Sequence, residues 1–296
     1  MIFIRKIEKI PRSAFMLVLA LLASAGTGKA QTFYSAYEWG LSLGGSQYFG
    51  DLNDNYGFKY VRPAGGVFGR YHMNPYISLR ASLSYTKLGY DDKFNDNPFS
   101  KKRNLNFRSD IFEGAVMAEF NFFRFATGEA GSRFTPYLTG GVGAFYYNPY
   151  ALYAGRRYYL RTIGTEGQHA GYNDRQYSNF SVCFPVGAGF KYWIRPGVNF
   201  GFEIANRLTL TDYLDDVSTT YVGSHHFPTD AQNPNPGYYL QDRSLETSPE
   251  SPLGRPGKQR GNSTTKDQYM YFIFNLSIQL KTYRCPSYMK EGFYAR

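Results

Sequence analysis

Ile77-Ser78-Leu79-Arg80-Ala81-Ser82-Leu83-Ser84-Tyr85-Thr86 alternates an oily and a polar residue without a break. A β-strand sorts that order onto two faces, because successive side chains point opposite ways. A helix would scatter the same residues around its axis. Apart from Arg80, the polar face holds only Ser and Thr. A strand facing bulk water favours long Lys and Glu there, whereas small residues suit a narrow interior. The oily face suits lipid, where one Arg or Lys at mid-depth costs about 2–4 kcal/mol.

Seven further segments repeat the pattern. Tyr37, Trp39, Leu41 and Leu43 alternate with Glu38, Gly40, Ser42 and Gly44. Val67, Tyr71 and Met73 oppose Arg70 and His72. Phe112, Val116, Ala118, Phe120 and Phe122 oppose Glu113, Met117, Glu119 and Asn121. Leu138, Val142, Ala144 and Tyr146 oppose Tyr137, Thr139, Gly141 and Gly143. Val182, Phe184, Val186, Ala188, Phe190 and Tyr192 oppose Ser181, Cys183, Gly187, Gly189 and Lys191. Phe200, Phe202, Ile204, Leu208 and Leu210 oppose Asn199, Gly201, Glu203, Arg207 and Thr209. Phe272, Phe274, Leu276, Ile278 and Leu280 oppose Asn275, Ser277, Gln279 and Lys281. The oily faces carry no charge. The pattern predicts an all-β fold, an eight-stranded antiparallel transmembrane β-barrel. Its strands lie at about 36–49, 64–73, 76–90, 107–123, 135–147, 180–193, 198–211 and 269–281. The barrel must close, because an open edge in hydrocarbon leaves backbone groups unpaired. Eight strands enclose a lumen that side chains can fill, so no wide pore is expected.

The rest of the chain is consistent with this. Arg5, Lys6, Lys9 and Arg12 precede an apolar stretch, Ala14–Ala25, that is too short to span a membrane. Small residues at Gly28 and Ala30 then mark a cleavage point, so residues 1–30 read as a secretory signal peptide. The mature chain, 31–296, reads as one barrel domain with a short tail, 282–296. The whole chain carries 33 Lys+Arg against 23 Asp+Glu. Five of those basic residues and one acidic residue fall in the first thirty, which leaves 28 against 22. No nucleic-acid recognition motif accompanies this modest excess. Two Cys and four His exclude a disulfide framework and the common zinc-hydrolase pattern.

Connections alternate short and long. Asn74-Pro75, Arg124–Phe134 and Ile194–Gly197 are short; 50–63, 91–106, 148–179 and 212–268 are long. In outer-membrane barrels short turns face the periplasm and long loops the outside. Both mature termini are therefore expected in the periplasm. The Pro-rich stretch Phe227–Arg260 is expected to be mobile. Tyr34, Tyr37, Trp39, Tyr85, Tyr90, Tyr146, Tyr147, Tyr192, Trp193 and Tyr271 near strand ends suggest two aromatic girdles.

Candidate sites weigh as follows. Glu38, Arg70, Arg80, Glu113, Glu119, Lys191, Glu203, Arg207 and Lys281 face inward, five basic and four acidic. Their balance points to an ion-pair network, because unpaired buried charge is costly. Arg80 is expected to meet Glu119 or Glu113, and Lys281 to meet Glu38 across the closing seam. His72 falls at the periplasmic end of its strand, and His169, His225 and His226 lie in loops without a recognisable nucleophile neighbourhood, so no catalytic residue is assigned. Asp212, Asp215 and Asp216 could hold Ca²⁺, but their spacing fits turn capping better. Cys183 and Cys285 fall at opposite ends and read as free thiols. Lys101-Lys102-Arg103 could meet lipopolysaccharide, but a solvated loop is the default reading. No cofactor, metal or small-molecule substrate is indicated.

Several stretches carry a family likeness: GGSQYFGDLN (44–53), RNLNFRSDIFE (103–113) with EFNFF (119–123), TPYLTGGVGAFYYNP (135–149), IGTEGQ (163–168), TDYLDDVSTTY (211–221) and RGN (260–262). Together they resemble the PorG-type outer-membrane barrels of the Bacteroidetes type IX secretion system, from about Glu38 to Pro286. The insert around 223–258 and the tail after Cys285 depart from that pattern. The resemblance implies a non-enzymatic secretion subunit that docks a periplasmic ring, and it makes Arg195, Tyr283, Arg284 and Tyr288 candidate contacts. Outer-membrane lipid and lipopolysaccharide are the other implied partners. The competing class is an independent surface barrel, adhesive, lipid-A-modifying or proteolytic.

Overall fold

The computed structural model describes residues 37–53, 56–129, 131–230, 232 and 234–279. The signal peptide, Tyr34, Lys281, Cys285 and the tail candidates lie outside them. Ten strands form. In chain order these are β1 (Tyr37–Phe49), β2 (Arg62–His72), β3 (Ile77–Asp91), β4 (Asn106–Asn121), β5 (Phe134–Tyr146), β6 (Tyr150–Tyr153), β7 (Arg156–Tyr159), β8 (Phe180–Arg195), β9 (Val198–Thr209) and β10 (Gln268–Gln279). The short hairpin β6–β7 belongs to a long loop and meets the sheet where Tyr150 pairs with Arg108 and the Leu152 backbone bonds the Asn106 side chain. The other eight strands form the ring β1-β2-β3-β4-β5-β8-β9-β10, every neighbour antiparallel. It closes where Glu38–Phe49 pairs with Gln268–Gln279.

Parity decides which way each side chain points, and the ring follows the alternation. Leu43, Leu83, Val116 and Leu276 face outward, 69, 66, 57 and 52% exposed. In water such a belt would be a penalty; in hydrocarbon it is the solvent-matched surface. The inward face holds the buried polar residues and many glycines. Gly44 shows why: a Cβ there would lie 1.9 Å from the Phe272 carbonyl oxygen on β10. A larger residue would push the closing seam apart.

Three expectations are corrected. Lys87 and Asp110 sit on the outward faces of β3 and β4, 3.9 Å apart and partly exposed. They lie toward the long-loop ends, where strands extend past the oily band. Tyr90, Tyr147 and Tyr271 are buried, so they belong to no girdle. All three have inward parity: Tyr271 on β10, Tyr90 on β3 in step with Thr86 and Leu88, and Tyr147 just past β5 in step with Phe145. Tyr37, Trp39, Tyr85 and Tyr192 do face outward. Finally, the stretch 227–260 is packed. Phe227, Leu240 and Arg260 are buried in a cap over the long-loop end, because apolar and charged residues spaced along a polar sequence meet partners from other loops.

Leu83→Arg should lower the stability of the barrel in lipid vesicles by about 2–4 kcal/mol. An equilibrium urea titration of vesicle-inserted protein checks this, with exposed loop residue Thr265 changed to Arg as the neutral control.

Candidate functional site

Inside the barrel, four carboxylates and four cations from different strands interlock. Glu119 on β4 is the hub. Its oxygens lie 2.8 Å from Arg70 Nε, 3.2 Å from Arg80 Nε and 2.5 Å from Lys191 Nζ. Register makes this necessary: Arg70 and Arg80 stand directly opposite on β2 and β3, and a carboxylate between them turns repulsion into a bridge. Arg80 also crosses the lumen to Glu203 on β9 at 2.7 Å, and Tyr137 donates to the same carboxylate at 2.6 Å. Arg207 reaches Glu113 at 3.3 Å, and Tyr269 donates to Glu113 at 2.6 Å. Toward the short-turn end Arg70 donates to Glu38 at 2.5 Å. Lys281 being outside the described residues, the partners seen for Glu38 are Arg70, His72 and Ser277.

His72 lies 2.8 Å from Ser78 Oγ through Nδ1 and 2.7 Å from Glu38 Oε2 through Nε2. A serine, a histidine and a carboxylate in line are the parts of a hydrolase relay. Here Ser78 and Glu38 are fully buried and His72 nearly so, so a substrate has no approach to the hydroxyl in this state. A cavity of about 20 Å³ beside Phe68, Arg80, Met117, Arg207 and Tyr271 has room for a single water. His169 contacts the Arg161 carbonyl, and His225 packs on His226.

Five of the quoted motifs meet in the cap above the lumen. Glu166 accepts from the Ser218 and Thr219 amides and the Thr219 hydroxyl, and pairs with Arg260 at 3.0 Å. Arg260 also donates to the Asp216 carbonyl. Arg103 clamps Asp92 with Nε at 2.7 Å and donates to the carbonyls of Asp51 and Arg260. The residue is thus spent inside the cap, and of the basic run only Lys101 is exposed. The roles of Glu166, Arg103 and Arg260 were missed in sequence, although each lay in a quoted motif.

Asp212, Asp215 and Asp216 do not converge. Asp212 accepts from Ser218, Asp215 from Tyr48 and the Val217 amide, and Asp216 from Thr165 and Tyr177. Among the described residues no group of three or more His, Cys, Asp or Glu side chains is placed to hold a metal ion. Burial raises all three carboxyls above their ordinary range, Asp212 and Asp216 to about 6. Asp215 is raised further by Asp267, which also accepts from Tyr48.

At the short-turn end the connections lean on one another. The Phe125 amide donates to the Pro75 carbonyl, and the Gly197 amide to Thr127 Oγ1. Gly128, at φ +84°, packs against Pro196. Arg195 is exposed beside them. Cys183 is a buried free thiol.

A closed eight-stranded ring with an oily belt, a filled polar lumen and unequal ends is an outer-membrane-type β-barrel. The chain belongs to the DUF6089 family, a domain of unknown function, whose model matches residues 12–225. No curated protein matches it. Among solved structures it is similar to Neisserial surface protein A, at 10% identity and a TM-score of 0.40, covering 83% of this chain and 98% of that one. It is also similar to Ail, the attachment invasion locus protein of Yersinia pestis, at 10% identity and TM-score 0.37, covering 83% and 98%. OprG from Pseudomonas aeruginosa matches at 8% identity and TM-score 0.36, covering 83% and 98%.

Two outcomes are expected. Arg80→Leu strips Glu203 and Glu119 of a partner and should cost about 3–5 kcal/mol. The folded band on an unheated gel should be lost at a lower temperature, and adding Glu203→Gln should recover part of the loss. The cap should also tighten in acid. Carboxyls raised in the folded state bind more protons there than in an open cap, whose carboxyls titrate near 4. Cap stability therefore falls as pH rises from about 4 through the value of about 6 at Asp212 and Asp216. Amide exchange over 212–221, corrected for the intrinsic pH dependence, should show greater protection at pH 5 than at pH 8, and Asp216→Asn should flatten the difference.

Proposed function

We propose that this protein is a non-enzymatic outer-membrane subunit of the type IX secretion machinery, a membrane anchor to which a periplasmic ring docks. One observation carries the proposal. The lumen is filled by cross-strand ion pairs, so a role in moving folded cargo falls to scaffolding at the barrel's ends. The short-turn end suits that task, because hydrogen bonds between its turns make a rim that can bear load with little ordering cost on binding. The likeness of the quoted motifs to PorG-type barrels supplies the partner. Arg195 is the described candidate contact, and Tyr283, Arg284 and Tyr288 extend the candidate surface in sequence. Arg and Tyr are favoured contact residues at interfaces. Outer-membrane lipid and lipopolysaccharide surround the belt in this reading.

The second reading is an independent surface barrel acting in adhesion or on lipid A. The ordered cap at the long-loop end favours it, since a pure anchor needs no such construction. Deleting the gene should abolish export of type IX cargo, measured by secreted-protein profiling. Truncation after Thr282 should leave the barrel inserted but reduce co-purification of ring proteins several-fold. Normal cargo export in the deletion strain, with altered adhesion or lipid A, would replace the secretion reading with the surface one.

A further inference from the structure

An open cavity at the long-loop end has a volume of about 490 Å³, within the range of small-molecule sites. Its walls come from the turn after β1, the short helix Pro98–Arg103 and the segment 259–268. Two quoted motifs make the floor. Asp51, of GDLN, accepts the Asn262 amide with both carboxylate oxygens at 2.9 and 3.0 Å. Gly261, of RGN, is what lets them approach: a Cβ there would lie 2.4 Å from Asp51 Oδ2. Two aromatic rings stand at the rim, Tyr56 56% and Phe99 43% exposed. Tyr56 is held at φ +51° and packs at a tilt against Phe49, the ring centroids 4.8 Å apart. A non-glycine residue in the left-handed region is a position that the surrounding structure must hold.

The lining selects the kind of ligand. The guanidinium groups of Arg103 and Arg260 reach the wall but donate to Asp92, Glu166 and backbone carbonyls. Asp51 is the one carboxylate among the lining residues. The third lining cation, Lys266, is a single exposed side chain, so a phosphate or sulfate would meet the Asp51 charge without a dedicated cation fork. A divalent cation would find one carboxylate where it needs several. What remains is flat aromatic faces, side-chain amides at Asn97, Asn262 and Gln259, and an acceptor carboxylate. A neutral sugar presents an apolar ring face and hydroxyl donors that match those groups.

We propose that this cavity is a saccharide-binding site, in which Phe99 and Tyr56 stack on sugar rings and Asp51 accepts sugar hydroxyls. The site faces outside the barrel, so its sugar can come from the cell's own surface polysaccharide or from a foreign glycan. The assignment does not depend on the secretion role.

The test uses the full chain in phospholipid nanodiscs. It is offered an array of neutral saccharides of one to four rings, and separately the polysaccharide released by mild acid from the lipopolysaccharide of the cells that make the protein. Saturable binding is expected to at least one. Phe99→Ala should weaken it about three- to tenfold. Thr265→Trp, at an exposed rim position whose hydroxyl accepts from the Asn262 side-chain amide at 3.3 Å, should block the cavity. Heat-modifiable migration on a gel confirms that both variants are folded. Binding confined to the array identifies a foreign glycan, and binding confined to the released polysaccharide identifies a self ligand; either supports the site. Absence of saturable binding to both up to about 1 mM, or binding that folded Phe99→Ala and Thr265→Trp leave unchanged, overturns it.

Discussion

Everything in this structure depends on a backbone ladder between its first and last strands. Hydrocarbon offers no hydrogen bonds, so each amide and carbonyl crossing it needs a partner from the chain itself. The pairing of β1 with β10 meets that demand at the seam, and it fixes the rest. A closed ring of eight has an inside that water cannot flood, and whatever charge the strands place there must find charge. The Glu119 hub, the crossing from Arg80 to Glu203 and the pair Arg207–Glu113 answer the closure. Their value is specificity as much as stability: a strand slipped by one residue would turn these charges into lipid and an oily face into the lumen.

The barrel was legible because lipid simplifies the code. Solvent outside and side chains inside impose period two on every strand, and Ile77–Thr86 or Phe272–Gln279 declare it in a single pass. Charge balance made an interior network readable as well, but not its wiring. Arg80 was expected near Glu119, yet its shorter contact is to Glu203, whose strand lies across the lumen. Periodicity reports which face a residue takes, not which residues face each other across a ring; that depends on strand stagger. Parity itself accounts for Tyr90 and Tyr147: each continues the inward face of its strand, with Leu88 and with Phe145, and each is buried.

The cap was the least legible part. Its loops are rich in Asp, Asn, Gly and Pro, a composition shared by unstructured chain. What distinguishes them is a few long-range polar contacts: Glu166 with Arg260 and two backbone amides, Arg103 with Asp92. These pairs span loops far apart in sequence and follow no period. They could be recognised only once the barrel had brought the loop bases together. Turn capping outweighs a Ca²⁺ site for Asp212, Asp215 and Asp216 on spacing alone, but spacing cannot give their partners. Neighbours in sequence, they turn toward Ser218, Tyr48 and Thr165 in three directions.

The closing seam carries a kinetic consequence. Glu38 and Gln279 pair across almost the whole described chain, so the contact on which the membrane-inserted state relies is also the last that a growing chain can make. Long-range pairing slows folding, because chain entropy is lost before the contact repays it. Until β10 arrives, β1 presents an unpaired edge, the kind of surface that draws in other chains. In a barrel built this way, the time that its first strand waits unpaired sets the hazard of assembly.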